Sequence, residues 1–138
     1  QTRFELAEKW MHQGQLAHLA DQPARRLSGG EQQRLSLVRA LCCNPEILFL
    51  DEPCAHLDVN AAQHVEALIK SAIDAGIKVV MITHDRAQAR RLGGEILLME
   101  GGQVKAQEGA ALFFGSSQNP WTQAFLQGYK ISDTEVET

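Results

Sequence analysis

Asp51 and Glu52 stand side by side after the apolar run Ile47-Leu48-Phe49-Leu50. Two carboxylates at the C-terminal end of a strand lie where open α/β sheets bind ligands. Asp51 can hold Mg²⁺ through its water shell, as hard oxygen ligands do. Glu52 can polarise a water for in-line attack on a phosphate. Taken alone, the segment reads equally well as a strand followed by a solvated acidic turn. Thr83-His84-Asp85 closes a second apolar run, Val79 to Ile82. His84 can hydrogen-bond a γ-phosphate at the same sheet edge, although a lone histidine after a strand is ordinarily a loop residue. The third segment is Leu27-Ser28-Gly29-Gly30-Glu31-Gln32-Gln33-Arg34. Ser28 can cap a helix, and Glu31 three residues on completes a capping box. The two glycines leave that helix start bare, so an anion can approach backbone N–H groups at the positive end of the dipole. Capping boxes are common, so Ser28 and Glu31 alone read as a well-capped helix; the whole block is far less common.

These groups need elements to hold them. Phe4, Ala7, Trp10 and Met11, then Leu16 and Leu19, recur at helical spacing and predict one or two helices broken near Gly14. The polar stretch from Asp21 to Arg26 reads as a loop. A second helix starts at Gly29 or Gly30 and runs to about Cys43, where Asn44-Pro45 stops it. Glu46 to Asp51 and Lys78 to Thr83 read as strands, with an amphipathic helix from Asn60 to Ala75 between them, ended by Gly76. Arg86 to Leu92 reads as a short basic helix. Glu95 to Met99 and Gln103 to Gln107 form a hairpin about Gly101-Gly102, and helices follow at Ala110 to Phe114 and Pro120 to Gln127. The strand–helix–strand order implies a parallel sheet with covering helices. Runs such as Ile47 to Leu50, apolar throughout, imply burial of both sheet faces.

Composition excludes several classes. The 138 residues suffice for one core, and 44% hydrophobic with 22% charged is an ordinary globular balance. Net charge is −4, with 13 basic against 17 acidic residues, which makes no electrostatic case for nucleic acid as a partner. No apolar run approaches the ~20 residues of a membrane span, and no signal peptide is expected. Cys42, Cys43 and Cys54 form no Cys-x-x-Cys pair; they read as small, at least half-buried hydrophobes in a reducing, cytosolic setting. His12, His18, His56 and His64 have no metal-ligand spacing, and Arg86, Arg90 and Arg91 read as a solvated helix face.

Together, the three segments resemble one family, the ATP-binding cassette (ABC) ATPases. Leu27-Ser28-Gly29-Gly30-Glu31 matches the family's signature motif, and Ile47 to Glu52 looks like its Walker B strand. Ala55-His56-Leu57-Asp58 is similar to its D-loop, and His84 sits where the switch histidine belongs. Order and spacing agree for all four. The resemblance implies an α/β fold: an incomplete P-loop NTPase (RecA-like) core, a parallel sheet with flanking helices, and part of the helical signature subdomain. It divides the chain into 1–43, the end of that subdomain; 44–131, the C-terminal part of the catalytic core; and 132–138, a frayed tail. It implies ATP and Mg²⁺ as cofactors and a second ABC ATPase subunit as head-to-tail partner. Ser28, Gly29, Gly30 and Glu31 then form the signature surface facing the partner's ATP. Asp51 supports Mg²⁺ through water, Glu52 orients the attacking water, His84 senses the γ-phosphate, and Asp58 crosses the interface. Gln32 and Arg34 steady the signature helix.

The segments 109–114 and 120–128 look like the C-terminal end of bacterial importer ATPases. The reading is an energy-coupling subunit at the cytoplasmic face of the cell membrane. Transmembrane permease subunits and a solute-binding protein would be its partners, with tungstate, molybdate, phosphate or amino acids as solutes. One departure is large: the pattern Gly-x-x-x-x-Gly-Lys-Ser/Thr occurs nowhere in the sequence. The segment bearing it is expected ahead of Gln1, and the chain alone is expected to be inactive. Two other readings stay open, a non-transport ABC ATPase of translation or DNA repair and a module that only donates its signature face. An exposed edge on the shortened sheet predicts self-association.

Overall fold

The computed structural model describes residues 1–132; the expected frayed tail lies, beyond Ser132, outside the described residues. The chain forms two compact units, Gln1–His84 and a second from Asp85 onward.

The first unit opens with α1 (Arg3–Gln13). Its start is fixed by a capping box: Glu5 N–H donates to Thr2 Oγ1 at 3.2 Å, and Thr2 N–H donates to Glu5 Oε2 at 2.9 Å. Leu6 and Trp10 are its buried residues, whereas Phe4, expected on the apolar stripe, is exposed. Short 3-10 turns follow at Ala17–Leu19 and Ala24–Arg26, the second inside the stretch expected to be loop. Helix α2 spans Gly29–Leu41, strand β1 Ile47–Asp51, helix α3 Val59–Asp74 and strand β2 Lys78–Ile82. At the end of α3, Gly76 takes φ +89°. Its N–H donates to Ile73 O at 2.9 Å, and Ile77 N–H donates to Ala72 O at 3.1 Å. This paired arrangement closes helices on a left-handed residue, which glycine adopts without a Cβ penalty.

The β1–α3–β2 crossover makes the two strands parallel, in the register Ile47↔Lys78 to Asp51↔Ile82. Helix α2 packs against α1 and α3. The core is Trp10, Leu16, Leu37, Val38, Leu41, Leu48, Val65, Leu68, Ile69 and Ala72, all buried. The expected burial of both sheet faces is corrected. Alternation puts Leu48, Leu50, Val79 and Met81 on a buried to half-buried face. Ile47, Phe49, Val80 and Ile82 lie on the other and are exposed, Phe49 by 74%. The reason is the number of layers: a parallel sheet needs helices on both faces, and the described residues cover one.

The second unit contains α4 (Arg86–Leu92), β3 (Glu95–Glu100), β4 (Gln103–Gly109), α5 (Ala110–Gly115) and α6 (Pro120–Gln127). The antiparallel hairpin β3–β4 turns at Gly101 (φ +58°) and Gly102 (φ +76°), with Glu100 paired to Gln103. Two positive φ values give the turn whose twist suits a hairpin. Asn119 caps α6 ahead of Pro120, accepting from Trp121 N–H at 2.8 Å. Ser117 and Thr122, both buried, donate to the Glu108 carboxylate at 2.6 Å and 2.8 Å. The basic face expected on α4 is exposed at Arg86, Arg90 and Arg91, and Arg86 and Arg90 also have partners. Arg86 stacks over Phe125 and donates to Leu126 O, and Arg90 stacks over Phe114 and donates to Phe114 O. A guanidinium satisfies aromatic faces and free helix-end carbonyls together, so these arginines fasten α4 to α5 and α6.

Candidate nucleotide-facing site

Every predicted site residue lies in the first unit, grouped at the C-terminal ends of β1 and β2 and at the N-termini of α2 and α3. Asp51 is the last residue of β1 and is exposed. Glu52 follows with φ +47°, in the left-handed region that non-glycine residues seldom occupy. Its N–H still donates to Ile82 O at 2.9 Å, extending the parallel ladder by one residue, and its carbonyl accepts from Ala55 N–H at 3.1 Å. The chain therefore turns sharply at Glu52, and its carboxylate swings toward the end of β2. There His84 meets it twice: the His84 backbone N–H donates to Glu52 Oε1 at 3.1 Å, and His84 Nε2 lies 3.3 Å from the same oxygen. The His84 side chain is 94% exposed and that of Glu52 33%, so both are open to a ligand arriving from solvent. His56, in the next turn, also takes a left-handed φ of +63°. Strained backbone of this kind gathers at functional sites.

Asp58 caps α3: its Oδ1 accepts from Ala61 N–H at 2.8 Å. Ser28 caps α2 in the expected box, with Glu31 N–H donating to Ser28 Oγ at 3.2 Å and Ser28 N–H donating to Glu31 Oε2 at 2.8 Å. Gln32 Nε2 donates to Leu27 O at 3.0 Å. Arg34 is buried, and its Nε donates to Gly14 O at 2.8 Å, tying α2 to the end of α1. The two glycines of the motif differ. A Cβ on Gly29 would meet nothing within 4 Å, whereas one on Gly30 would lie 2.8 Å from Ala61 Cβ. Ala61 was not singled out from the sequence, where nothing marks an alanine in a helical run as a contact.

Among the described residues, no group of three or more His, Cys, Asp or Glu side chains could hold a metal. A strand-end carboxylate such as that of Asp51 is the hard oxygen donor that Mg²⁺ accepts beside water and phosphate oxygens. The segment from Asp51 to Asp58 contains no lysine or arginine.

This is the α/β architecture of a P-loop nucleotide-binding cassette. The family profile described as ABC transporter matches residues 2–55. The chain is 31% identical over 122 residues to the general L-amino acid transport ATP-binding protein AapP of Rhizobium johnstonii, covering 88% of this chain and 48% of that protein. It is 39% identical over 112 residues to the phosphate import ATP-binding protein PstB of Mycobacterium intracellulare, covering 81% of this chain and 39% of that one. Among solved structures, it is similar to an ABC transporter's ATP-binding cassette in its ADP conformation. The TM-score is 0.74 at 25% identity, over 88% of this chain and 49% of that one. It is similar also to a dimeric cassette in a post-hydrolysis state bound to ADP and Pi, with TM-score 0.64 and 32% identity over 77% and 46% of the chains. The chain belongs to the ABC transporter ATP-binding family, and it spans about half or less of the length of these relatives.

Proposed function

We propose that this chain is part of the ATP-binding subunit of an ABC importer, coupling ATP hydrolysis to solute uptake. The observation that carries the reading is the double contact of Glu52 with His84 at adjacent strand ends. It presents a carboxylate and an imidazole together to solvent, and a positioned carboxylate is one group that can orient a water beside a phosphate. In this reading residues 1–43 carry the signature and residues 44–131 the catalytic strand ends. Ser28, Gly29, Gly30 and Glu31 face a nucleotide held by a second, head-to-tail cassette. Their helix start offers backbone N–H groups and a positive dipole end to its terminal phosphate. Glu52 orients the attacking water, His84 holds Glu52 and contacts the γ-phosphate, and Asp58 approaches the partner. Mg²⁺, when bound with ATP, would neutralise phosphate charge, with Asp51 as its support on this chain.

The relatives serve different solutes: general L-amino acids, spermidine and putrescine, phosphate and molybdenum. Amino acids or an oxyanion such as phosphate, molybdate or tungstate are accordingly the solutes of this reading. Permease subunits and a solute-binding protein would select among them, with the cassette at the cytoplasmic membrane face. Among the described residues, no helix is long and apolar enough to cross a membrane, so attachment would run through the permease. The signature-donating module remains a second reading, favoured by the open approach to Gly29 and the absent phosphate-binding loop. The Glu52–His84 pair counts against it, since a purely donating surface has no use for that pair.

Calorimetric titration of the 138-residue chain with MgATP tests the assignment. The expected result is no binding heat at millimolar nucleotide, because the chain lacks the lysine and backbone nest that grip phosphates. Tight stoichiometric binding would require another phosphate grip within these residues and would overturn the reading.

A further inference from the structure

We infer that Arg34 supplies the positive charge that lets the glycine-bare start of α2 accept a phosphate, acting by its field from within the helix rather than by contact. The inference deepens the proposed nucleotide-facing role of Ser28 to Glu31 and rests on it. Arg34 stands four residues after Gly30, and helical side chains lean toward the N-terminus. It therefore reaches back toward Gly30, where no side chain obstructs it: a Cβ on Gly30 would lie 3.9 Å from Arg34 Nη1. The residue is only 8% exposed. Its Nε donates to Gly14 O at 2.8 Å; among the described residues this is its one hydrogen bond, and no carboxylate forms an ion pair with it. Among the described residues, no fully buried side-chain nitrogen lacks a partner, so the unbonded Nη1 and Nη2 keep an opening to solvent. Tying α2 to one neutral carbonyl needs only an amide donor, and burying an unpaired charge for that purpose is costly. The charge itself calls for a role.

The start of α2 needs that charge, because acids crowd it. The half-buried Glu31 accepts from Ser28 N–H at 2.8 Å, which puts its carboxylate at the cap itself. Asp58 accepts from Ala61 N–H at 2.8 Å, and Ala61 Cβ is the atom closest to where a Gly30 Cβ would stand. Against these two carboxylates the dipole of α2 offers about half a unit charge. Such a start, left alone, repels a phosphate. Arg25 and Arg26, just upstream, are exposed, so water and salt screen them. A buried guanidinium is screened much less and acts more strongly at short range. Arg34 thus offsets Glu31 and leaves the backbone N–H groups to meet the ligand.

Charge exchange tests this, read as MgATP-dependent association with a complete ABC cassette that keeps its own phosphate-binding loop. Arg34→Gln keeps an amide donor and removes the charge; it should weaken association by about tenfold or more. Arg34→Lys keeps the charge and should hold association within about threefold of the unaltered chain. Adding Glu31→Gln to Arg34→Gln removes the opposing acid but not the capping box, since glutamine serves at that position as glutamate does. It should recover most of the association, which a merely structural Arg34 does not predict. Equal losses in Arg34→Gln and Arg34→Lys, or no recovery on adding Glu31→Gln, would overturn the inference. Should Arg34→Gln fail to fold by circular dichroism, Glu31→Gln alone should strengthen association by about threefold, and an unchanged affinity would overturn it equally. No association by the unaltered chain would refute the nucleotide-facing reading of Ser28 to Glu31. The charge is then read on the chain alone, from the shift of the Gly29 amide resonance on titration with inorganic phosphate at constant ionic strength. A response that Arg34→Gln abolishes upholds the role of Arg34; equal responses, or none in either chain, overturn it.

Discussion

His84 holds one oxygen of Glu52 from two directions, with its backbone N–H at 3.1 Å and its Nε2 at 3.3 Å. The contact joins the ends of the two parallel strands across a separation of 32 residues, at a point where Glu52 leaves β1 in a left-handed conformation.

Both side chains stay accessible, so their roles in stability and chemistry should separate. His84→Ala should change the unfolding free energy of this chain by no more than about 0.5 kcal/mol, as for other exposed pairs. In the complete cassette, Glu52→Gln should retain nucleotide binding, accumulate an ATP-bound dimer and lower turnover by on the order of 100-fold or more. Turnover of the Glu52→Gln variant at the unaltered rate would remove Glu52 as the group that orients water.

Ser28 combines a cap with a proposed phosphate-facing surface, and the two roles respond differently to substitution. Ser28→Ala should cost about 1 kcal/mol of stability by leaving the Glu31 N–H without its acceptor. Ser28→Asp should retain the cap, because aspartate accepts the same bond, yet place a carboxylate where a phosphate would approach. Urea unfolding combined with MgATP-dependent association distinguishes them. A Ser28→Asp variant that associates normally would mean that Ser28 is only a cap.

Much of this was legible in the sequence because local rules decide it. Arg86 to Leu92 and Pro120 to Gln127 were read at their observed bounds, since Asp85 and Asn119 are caps and Pro120 suits a first helical position. The Gly101-Gly102 turn followed from the need for two positive φ values. What escaped depends on distant partners. Periodicity placed Phe4 and Trp10 on one apolar stripe, but of the two only Trp10 is buried, with Leu6 from outside that stripe. The exposure of Phe49 was invisible, because an apolar strand does not reveal which helices cover it. The aromatic partners of the exposed Arg86 and Arg90 escaped as well, because they lie 39 and 24 residues away. Ala61, 31 residues on, fills the space that a Cβ on Gly30 would need, and no spacing rule predicts so close an approach.

Cys42 provides a pH dependence with a definite sign. Burial, and secondarily the neighbouring Cys43, raises the Cys42 thiol above its ordinary value of 9.0. The folded chain therefore holds that proton more tightly than the unfolded chain. The stabilising contribution is fully present below the unfolded pKa and is lost as pH rises through the folded one. Unfolding in urea between about pH 8 and about pH 10.5 should show a steeper alkaline loss of stability for the unaltered chain than for Cys42→Ser. Equal slopes would mean that the thiol contributes nothing to the alkaline limb.

The uncovered sheet face makes the last prediction. Ile47, Phe49, Val80 and Ile82 form one apolar patch on two short strands, with Phe49 the most exposed of them at 74%. Apolar patches of this kind seek a partner, and unpaired strand edges invite one. The apparent mass of the 138-residue chain in light scattering should therefore rise with concentration. Phe49→Asp should suppress that rise while costing the fold about 1 kcal/mol or less, because an exposed strand position contributes little beyond its β-propensity. Helix α3 and the cap of α2 lie away from the substitution in sequence, so circular dichroism should be unchanged. A clean monomer at high concentration would mean that the face is tolerated bare. Association that persists undiminished in Phe49→Asp would place the contact on the strand edges instead, where backbone N–H and C=O groups rather than side chains make the bonds.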